Sequence, residues 1–357
     1  MKEFILVTGG AGFIGSHVVD LLIKHNFSVI VFDNLTFQVH RGRKPLYLNK
    51  NAEYIWDDIR NSKKLKEILP KVSVIFHLAS RVGVNQSNYQ IKKYVDVNIN
   101  GTANLLNCIK HTKNSIKKII YTSSMTTYGE GLYFCNKCGN VRPKLRNELD
   151  IKQSGWDPVC PLCSGTITPI PIKEDDFLNC NSIYAVTKRT QEELLILFGK
   201  MNSITTLSFR LFNVYGPRQS LYNPYTGVIS IFSHNILKDT NSTIFEDGKQ
   251  TRDFIFVEDV ANCLVQSLKT GNKTDIFNIG SGNSMQIFDI YKRTYAKLRN
   301  EKFIKNDVLS YIYRNNDIRH CIADISKVKK TLDWNPVVNF DLGFEKTMNW
   351  IFKNYEK

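Results

Sequence analysis

A tyrosine and a lysine four residues apart stand in the run Ser182-Ile183-Tyr184-Ala185-Val186-Thr187-Lys188. On a helix, positions i and i+4 share a face, so the lysine ammonium would lie beside the tyrosine phenol. A cation there lowers the phenol pKa and turns it into a usable general base. This pattern is common by chance when it stands alone. Upstream, Tyr121-Thr122-Ser123-Ser124-Met125-Thr126-Thr127-Tyr128-Gly129 reads as the close of a strand. That places Ser124 at the carboxyl edge of a sheet, where doubly wound folds bind ligands. Ser124, Tyr184 and Lys188 are therefore the candidate catalytic trio, with Ser124 hydrogen-bonding the reacting oxygen.

A glycine loop supplies the second half of the chemistry. Thr8-Gly9-Gly10-Ala11-Gly12-Phe13-Ile14-Gly15 separates a strand from a helix. Gly9, Gly12 and Gly15 let the backbone turn tightly and approach a pyrophosphate, whose charge the helix N-terminus stabilises. The next strand ends at Asp33, followed by Asn34. A carboxylate there accepts hydrogen bonds from ribose hydroxyls and repels a 2′-phosphate, so the expected cofactor is NAD rather than NADP. Asp58 and Ile59, after another strand-like stretch, are candidates for the adenine end.

Eight cysteines are present, and four of them form two pairs, Cys135-Asn136-Lys137-Cys138 and Cys160-Pro161-Leu162-Cys163. Two CxxC knuckles at this separation suit a closed tetrahedral Zn(Cys)4 site, with Gly139 and Gly165 fitting the turns around the metal. Four thiolates leave no open coordination position, so the zinc would be structural. Cys108, Cys180, Cys263 and Cys321 are isolated and read as small buried hydrophobes.

The elements that must position these groups alternate. Strand-like runs at residues 3–7, 27–33, 72–78 and 118–122 are separated by helical patterns such as 16–24 and 102–109. Strand alternating with helix implies parallel crossovers and a doubly wound, Rossmann-type α/β sheet. Residues 131–171 break the rhythm and read as an insertion carrying both cysteine pairs. Alternation resumes with a helix at 187–198 and a strand at 205–211. The expected organisation is an NAD-binding domain from residues 1–130 and 172–215, a zinc-ribbon insertion at 131–171, and a smaller, mainly substrate-binding lobe over 216–357.

Composition constrains partners. The chain has 357 residues and a formal charge of +15, spread over scattered lysines without a compact basic block. That disfavours nucleic acid as a partner. No apolar run approaches the roughly 18 residues of a membrane span. The first residues lead straight into a strand rather than a signal peptide, so a cytoplasmic location is expected.

Together these residues resemble the extended short-chain dehydrogenase/reductases, in the branch of NAD-dependent nucleotide-sugar epimerases and dehydratases. Further matches are His77-Leu78-Ala79-Ser80, Asn98-Ile99-Asn100-Gly101-Thr102, and Arg210 through Arg218 around Asn213. Arg252-Asp253-Phe254-Ile255-Phe256-Val257-Glu258-Asp259-Val260 and Asp317-Ile318-Arg319-His320 extend the match. The resemblance implies that Leu78, Ala79, Ser80 and Asn98 serve the dinucleotide. It implies that Asn213 contacts the substrate, and that Arg252 and Arg319 hold the diphosphate of a nucleotide-sugar. A homodimer is a further implication.

Dehydratases of this family carry an Asp-Glu pair directly after the catalytic Ser/Thr, and decarboxylases usually a glutamate at the second of those positions. Here the positions hold Met125 and Thr126, neither of which is a general acid or base near neutral pH. Epimerisation through a transient keto-sugar is the favoured reaction. Decarboxylation, dehydration, another oxidoreductase activity and a non-catalytic regulator holding NAD and nucleic acid remain alternatives. The cysteine insertion and its exit, Thr168-Pro169-Ile170-Pro171-Ile172-Lys173-Glu174, resemble the dTDP-L-rhamnose 4-epimerase branch.

Overall fold

The computed structural model describes residues 3–300, 310–314 and 317–355. Five of the first strands are apolar runs buried on both faces or short edges of the same sheet: β1 (Phe4–Thr8), β2 (Ser28–Asp33), β3 (Glu53–Trp56), β4 (Val72–His77) and β5 (Lys118–Ser124). With β9 (Thr205–Leu211) and β12 (Asp275–Ile279) they build a seven-stranded sheet in the order β12-β9-β5-β4-β1-β2-β3. Every pairing in it is parallel. Parallel strands need both faces covered, and two apolar layers do this. On one side lie Val18, Val19 and Leu22 of the helix Phe13–Lys24, with Val260, Ala261 and Leu264 of Val257–Gln266. On the other lie Leu65, Leu105, Ile109 and Leu195.

The chain leaves β1 in one direction towards β2 and β3, and in the other β4 and β5 follow. The strand order therefore reverses between β1 and β4, and a crevice opens at their carboxyl ends. Side chains lock this seam. Thr8 Oγ1 meets His77 Nδ1 at 2.8 Å, and the Ala79 amide donates to the same hydroxyl at 3.2 Å. Burial holds His77 down to about 3, so it stays neutral and structural.

A second sheet pairs β10 (Asn213–Tyr215), β11 (Thr251–Phe256), β13 (Ser284–Gln286) and β14 (His320–Cys321). Its core includes Tyr215, Phe254, Phe256, Ile290 and Met348. Between β5 and β9 the insertion folds as a small antiparallel sheet of β7 (Gly139–Val141), β6 (Leu132–Cys135) and β8 (Thr168–Ile170). No helix among the described residues is long and apolar enough to cross a membrane.

The strand-like stretch expected before Asp58 forms the partly exposed edge strand β3. Two local expectations change. The helix expected at 187–198 spans Ile183–Met201, since Ser182 caps it by accepting from the Ala185 amide at 3.1 Å. The insertion, expected to hold little periodicity, contains three strands and a helix, Glu148–Ser154, started by an Asn147/Asp150 capping box.

Candidate active site

The glycine loop is built for close approach. Gly9 has φ +71°, and a Cβ there would meet the Ala79 amide nitrogen at 2.8 Å. A Cβ on Gly15 would lie 2.2 Å from the Gly9 carbonyl oxygen. The helix Phe13–Lys24 starts at Gly12 with no side-chain cap and no acid in its first turn. Its leading amides are thus left for an anion. At the end of β2, Asp33 accepts from the amides of Ala11 at 3.0 Å and Leu35 at 2.9 Å. Burial raises its carboxyl above the ordinary value, against those amides and His40.

Gly9, Gly12, Phe13, Ile14, Gly15, Asp33, Asn34, Ile59, Leu78, Ala79 and Ser80 line one continuous cleft that ends at Ser124, Tyr184, Lys188 and Asn213. These residues fit a dinucleotide, with an anion cradle at one end, a ribose acceptor beside it, and the candidate catalytic trio at the other.

Two expected cofactor residues act from behind the cleft. Asp58 is held by Arg60 at 2.7 Å and by Asn34 at 2.9 Å, and its neighbour Asp57 lines the wall instead. Asn98 is fully buried in a π-helical turn, Val95–Asn100. Its amide accepts from the Arg81 backbone at 2.8 Å and from Ser80 Oγ at 3.1 Å, and donates to Thr187 Oγ1 at 3.0 Å. It therefore fixes the Ser80–Arg81 turn against the helix Ile183–Met201.

At the trio, Tyr184 lies in the first turn of that helix, its amide bonded to Ser87 Oγ at 3.0 Å. Burial pushes the Tyr184 phenol up to about 12, while its hydrogen bond with Ser124 pulls the other way. Thr126 Oγ1 donates to Ser124 Oγ at 3.0 Å. One turn along the helix, Lys188 is 3% exposed, and its ammonium sits 4.4 Å from the centre of the Tyr121 ring. Burial lowers Lys188 to about 7, and the Glu192 carboxylate four residues further on opposes this. Glu192 is itself buried and ion-paired with Arg210 at 2.6 Å. Without ligand, burial disfavours the charged forms of both the phenol and the ammonium.

Asn213 lines the cleft, and its side-chain carbonyl oxygen is buried with no hydrogen-bond partner. Arg252 and Arg319 stand apart from the cleft lining. Arg252 bonds Asp317 at 2.9 Å and the Ile318 carbonyl at 2.7 Å. Arg319, 1% exposed, pairs with Asp157, Glu246 and Asp247.

The sulfurs of Cys135, Cys138, Cys160 and Cys163 all lie within 4.8 Å of one another, with Cys135 and Cys163 at 3.7 Å. Zn–S bonds of about 2.3 Å in a tetrahedron imply sulfur–sulfur edges of roughly 3.8 Å. The donor set fits that metal.

A family model described as the NAD dependent epimerase/dehydratase family matches residues 5–144 and 162–280. The chain belongs to this family. The unmatched stretch 145–161 falls inside the cysteine-bearing insertion. Among curated relatives, a dTDP-L-rhamnose 4-epimerase of Burkholderia thailandensis is 30% identical over 99% of this chain and 96% of its own length. A putative UDP-glucose 4-epimerase of Methanocaldococcus jannaschii is 33% identical over 98% and 99%. Among solved structures, the UDP-glucuronic acid 4-epimerase of Bacillus cereus, in complex with UDP-glucuronic acid and NAD, superposes with a TM-score of 0.79. It is 30% identical and covers 99% of this chain and 100% of its own.

Sequence reasoning expected the loops 81–90 and 219–230 to shape the pocket but singled out none of the polar residues that join them across the family's cleft, and Gln38 lies outside both loops. Gln38 joins Gln86 and Asn223, each at 2.9 Å, and Arg81 donates to Gln38 at 2.8 Å. Their signal was weak, since they come from three segments far apart in sequence and none sits in a recognisable spacing. Glu192 was findable, because it repeats the i+4 step that links Tyr184 to Lys188.

Proposed function

We propose that this family member is an NAD-dependent nucleotide-sugar 4-epimerase acting through a transient 4-keto sugar, with a dTDP-6-deoxysugar such as dTDP-L-rhamnose as its leading substrate. The observation that carries the reading is the trio of Ser124, Tyr184 and Lys188 at the end of a dinucleotide cleft, with Ser124 and Lys188 buried and Tyr184 half-buried, and with Met125 and Thr126 directly after Ser124. When bound, oxidised nicotinamide supplies the acceptor for a sugar hydride and, once reduced, its donor. Tyr184 Oη takes the hydroxyl proton as the hydride leaves the same carbon, and gives it back when the hydride returns to the opposite face. Ser124 holds the reacting oxygen, and Lys188 supports negative charge on the phenol. No group able to eliminate water follows Ser124, so reduction closes the cycle.

The Gly9–Gly15 loop and Asp33 would hold the dinucleotide, Asn213 the sugar side of the substrate, and Arg252 and Arg319 its diphosphate. The leading sugar rests on the similarity to the Burkholderia thailandensis protein and on the insertion. The reading includes a structural zinc on the four cysteines and the domain limits set out from the sequence, except that Val257–Gln266 and β12 of the third segment belong with the large sheet. It also includes a cytoplasmic location and no nucleic-acid or membrane partner. A homodimer completes it, supported by the exposed apolar side chains Tyr89, Ile91, Val186, Leu197 and Met201.

The test is incubation with a panel of dTDP-, UDP- and GDP-sugars followed by NMR, comparing wild type with Tyr184→Phe. An epimeric product from wild type is expected, with turnover in the variant lower by about 10² or more and NAD still bound. Undiminished turnover in Tyr184→Phe would sink the assignment.

A further inference from the structure

Two loops meet across the dinucleotide cleft. β2 and β4 flank β1 in the large sheet. The chain leaving β2 supplies Gln38, in the turn Phe37–His40, and the chain leaving β4 supplies Arg81. Arg81 Nη2 donates to Gln38 Oε1 at 2.8 Å, and both residues line the cleft. Their bond therefore spans the carboxyl end of β1, where the glycine loop begins. A dinucleotide reaching from Asp33 to the trio has to cross that loop, and its diphosphate belongs at the helix N-terminus there. Ala79 packs directly on Gly9. Arg81 follows two residues later, a span of at most about 7 Å, so its side chain stays within reach of the loop.

The guanidinium is short of partners. Its other contact, Gln90 Oε1 at 3.4 Å, is weak, and Nε is buried with no hydrogen bond. Both acceptors are neutral amides. Arg81 is the only arginine among the residues that line the cleft. The other basic side chains there, Lys188 and His40, are both pushed towards neutrality by burial. The backbone that carries Arg81 is held firmly. Besides the Asn98 contacts, Tyr94 Oη bonds the carbonyls of Val82 at 2.8 Å and Gly83 at 2.9 Å. The Tyr94 ring centre lies 5.8 Å from the guanidinium carbon. A donor set in place this way loses little freedom when an anion binds.

We propose that Arg81 is a diphosphate clamp, its guanidinium taking an oxygen of the dinucleotide's diphosphate across the glycine loop. Arginine suits this role because it stays charged and keeps several donors after Gln38 has used one. The clamp rests on the reading of the cleft as a dinucleotide site.

The experiment is calorimetric titration of wild type, Arg81→Gln and Arg81→Lys, stripped of dinucleotide, with NAD, ADP-ribose and adenosine. The same proteins at saturating NAD are titrated with dTDP and UDP. ADP-ribose carries the diphosphate without nicotinamide, and adenosine lacks the diphosphate. Loss of a charge-assisted hydrogen bond should weaken NAD and ADP-ribose about ten- to hundredfold in Arg81→Gln. The salt dependence of their binding should become shallower. Arg81→Lys should recover part of the loss, since the charge is kept. Adenosine should bind both variants as it binds wild type, which also reports a folded site. Unchanged ADP-ribose binding in Arg81→Gln overturns the proposal. Equal weakening of adenosine does so too, because it would mark a structural role. A loss confined to dTDP or UDP also overturns it, by giving the cation to the substrate's diphosphate. Wild-type protein that binds neither NAD nor ADP-ribose would instead remove the dinucleotide reading, and the clamp with it.

Discussion

Lys188→Met should make the NAD-free protein more stable while removing its activity. Burial lowers the Lys188 ammonium from 10.5 to about 7. At 1.36 kcal/mol per pKa unit, that gap means the charged form costs about 5 kcal/mol to bury. In the unfolded chain the lysine is protonated up to its ordinary value. Between about pH 7 and 10.5 the unfolded state therefore binds more protons, and wild-type stability rises with pH across this window. Below pH 7 both states are protonated and the full cost remains. Methionine keeps most of the apolar stem and loses the ammonium over the Tyr121 ring, an interaction worth about 1–2 kcal/mol when desolvated. The net gain expected for Lys188→Met is about 3 kcal/mol at pH 6–7, falling to about 1 kcal/mol near pH 9.5. Urea unfolding of both proteins, stripped of dinucleotide, at pH 6.5, 8 and 9.5 measures it directly. A variant no more stable than wild type at pH 6.5, or a difference independent of pH, refutes the reasoning. Turnover should drop by about 10² or more, because the phenol loses its cation.

Two further outcomes follow from the geometry. Gly15→Ala puts a methyl group 2.2 Å from the Gly9 carbonyl, so the loop must open. NAD affinity, read by fluorescence titration, should fall by about tenfold or more with a loss of several kcal/mol in stability, and normal NAD binding would contradict the cradle. Metal analysis of protein purified without chelator should find about one zinc per chain. Chelation should raise protease sensitivity at 131–171 before it affects the sheet, and metal-free protein with an intact insertion would count against the site.

What was legible in the sequence was local. The trio, the glycine loop and Asp33 sit at spacings fixed by helix and strand geometry, and the fold assembles them in one cleft. The cysteine knuckles were legible for the same reason, since each pair is one tight turn. Long-range electrostatics was not. Arg319 meets Asp157 across 162 positions and Asp247 across 72, and no periodicity links them. Asn98 shows a different limit, because its resemblance indicated the cofactor while its hydrogen bonds reveal a support for the turn that lines the cleft.

The preference for reversible oxidation over elimination rests on packing as well as residue type. Met125 is 7% exposed and its sulfur lies 3.5 Å from Cys321 Sγ on β14, so it fills the apolar seam between the large sheet and the second sheet. Around it the same cluster includes Tyr128, Ile172, Ile318 and Ala323. A carboxylate at this position would be desolvated, at a cost of several kcal/mol or with its proton retained unless a cation paired with it. Thr126 is committed too, its hydroxyl donating to Ser124 Oγ and its amide directed at the same oxygen at 3.3 Å. The two residues that replace the acid pair of a dehydratase thus have structural duties of their own. One packs the two sheets together and the other holds the hydroxyl of Ser124. Elimination chemistry is therefore remote from this site by more than two side chains, whereas proton exchange at Tyr184 needs nothing beyond the groups already in place.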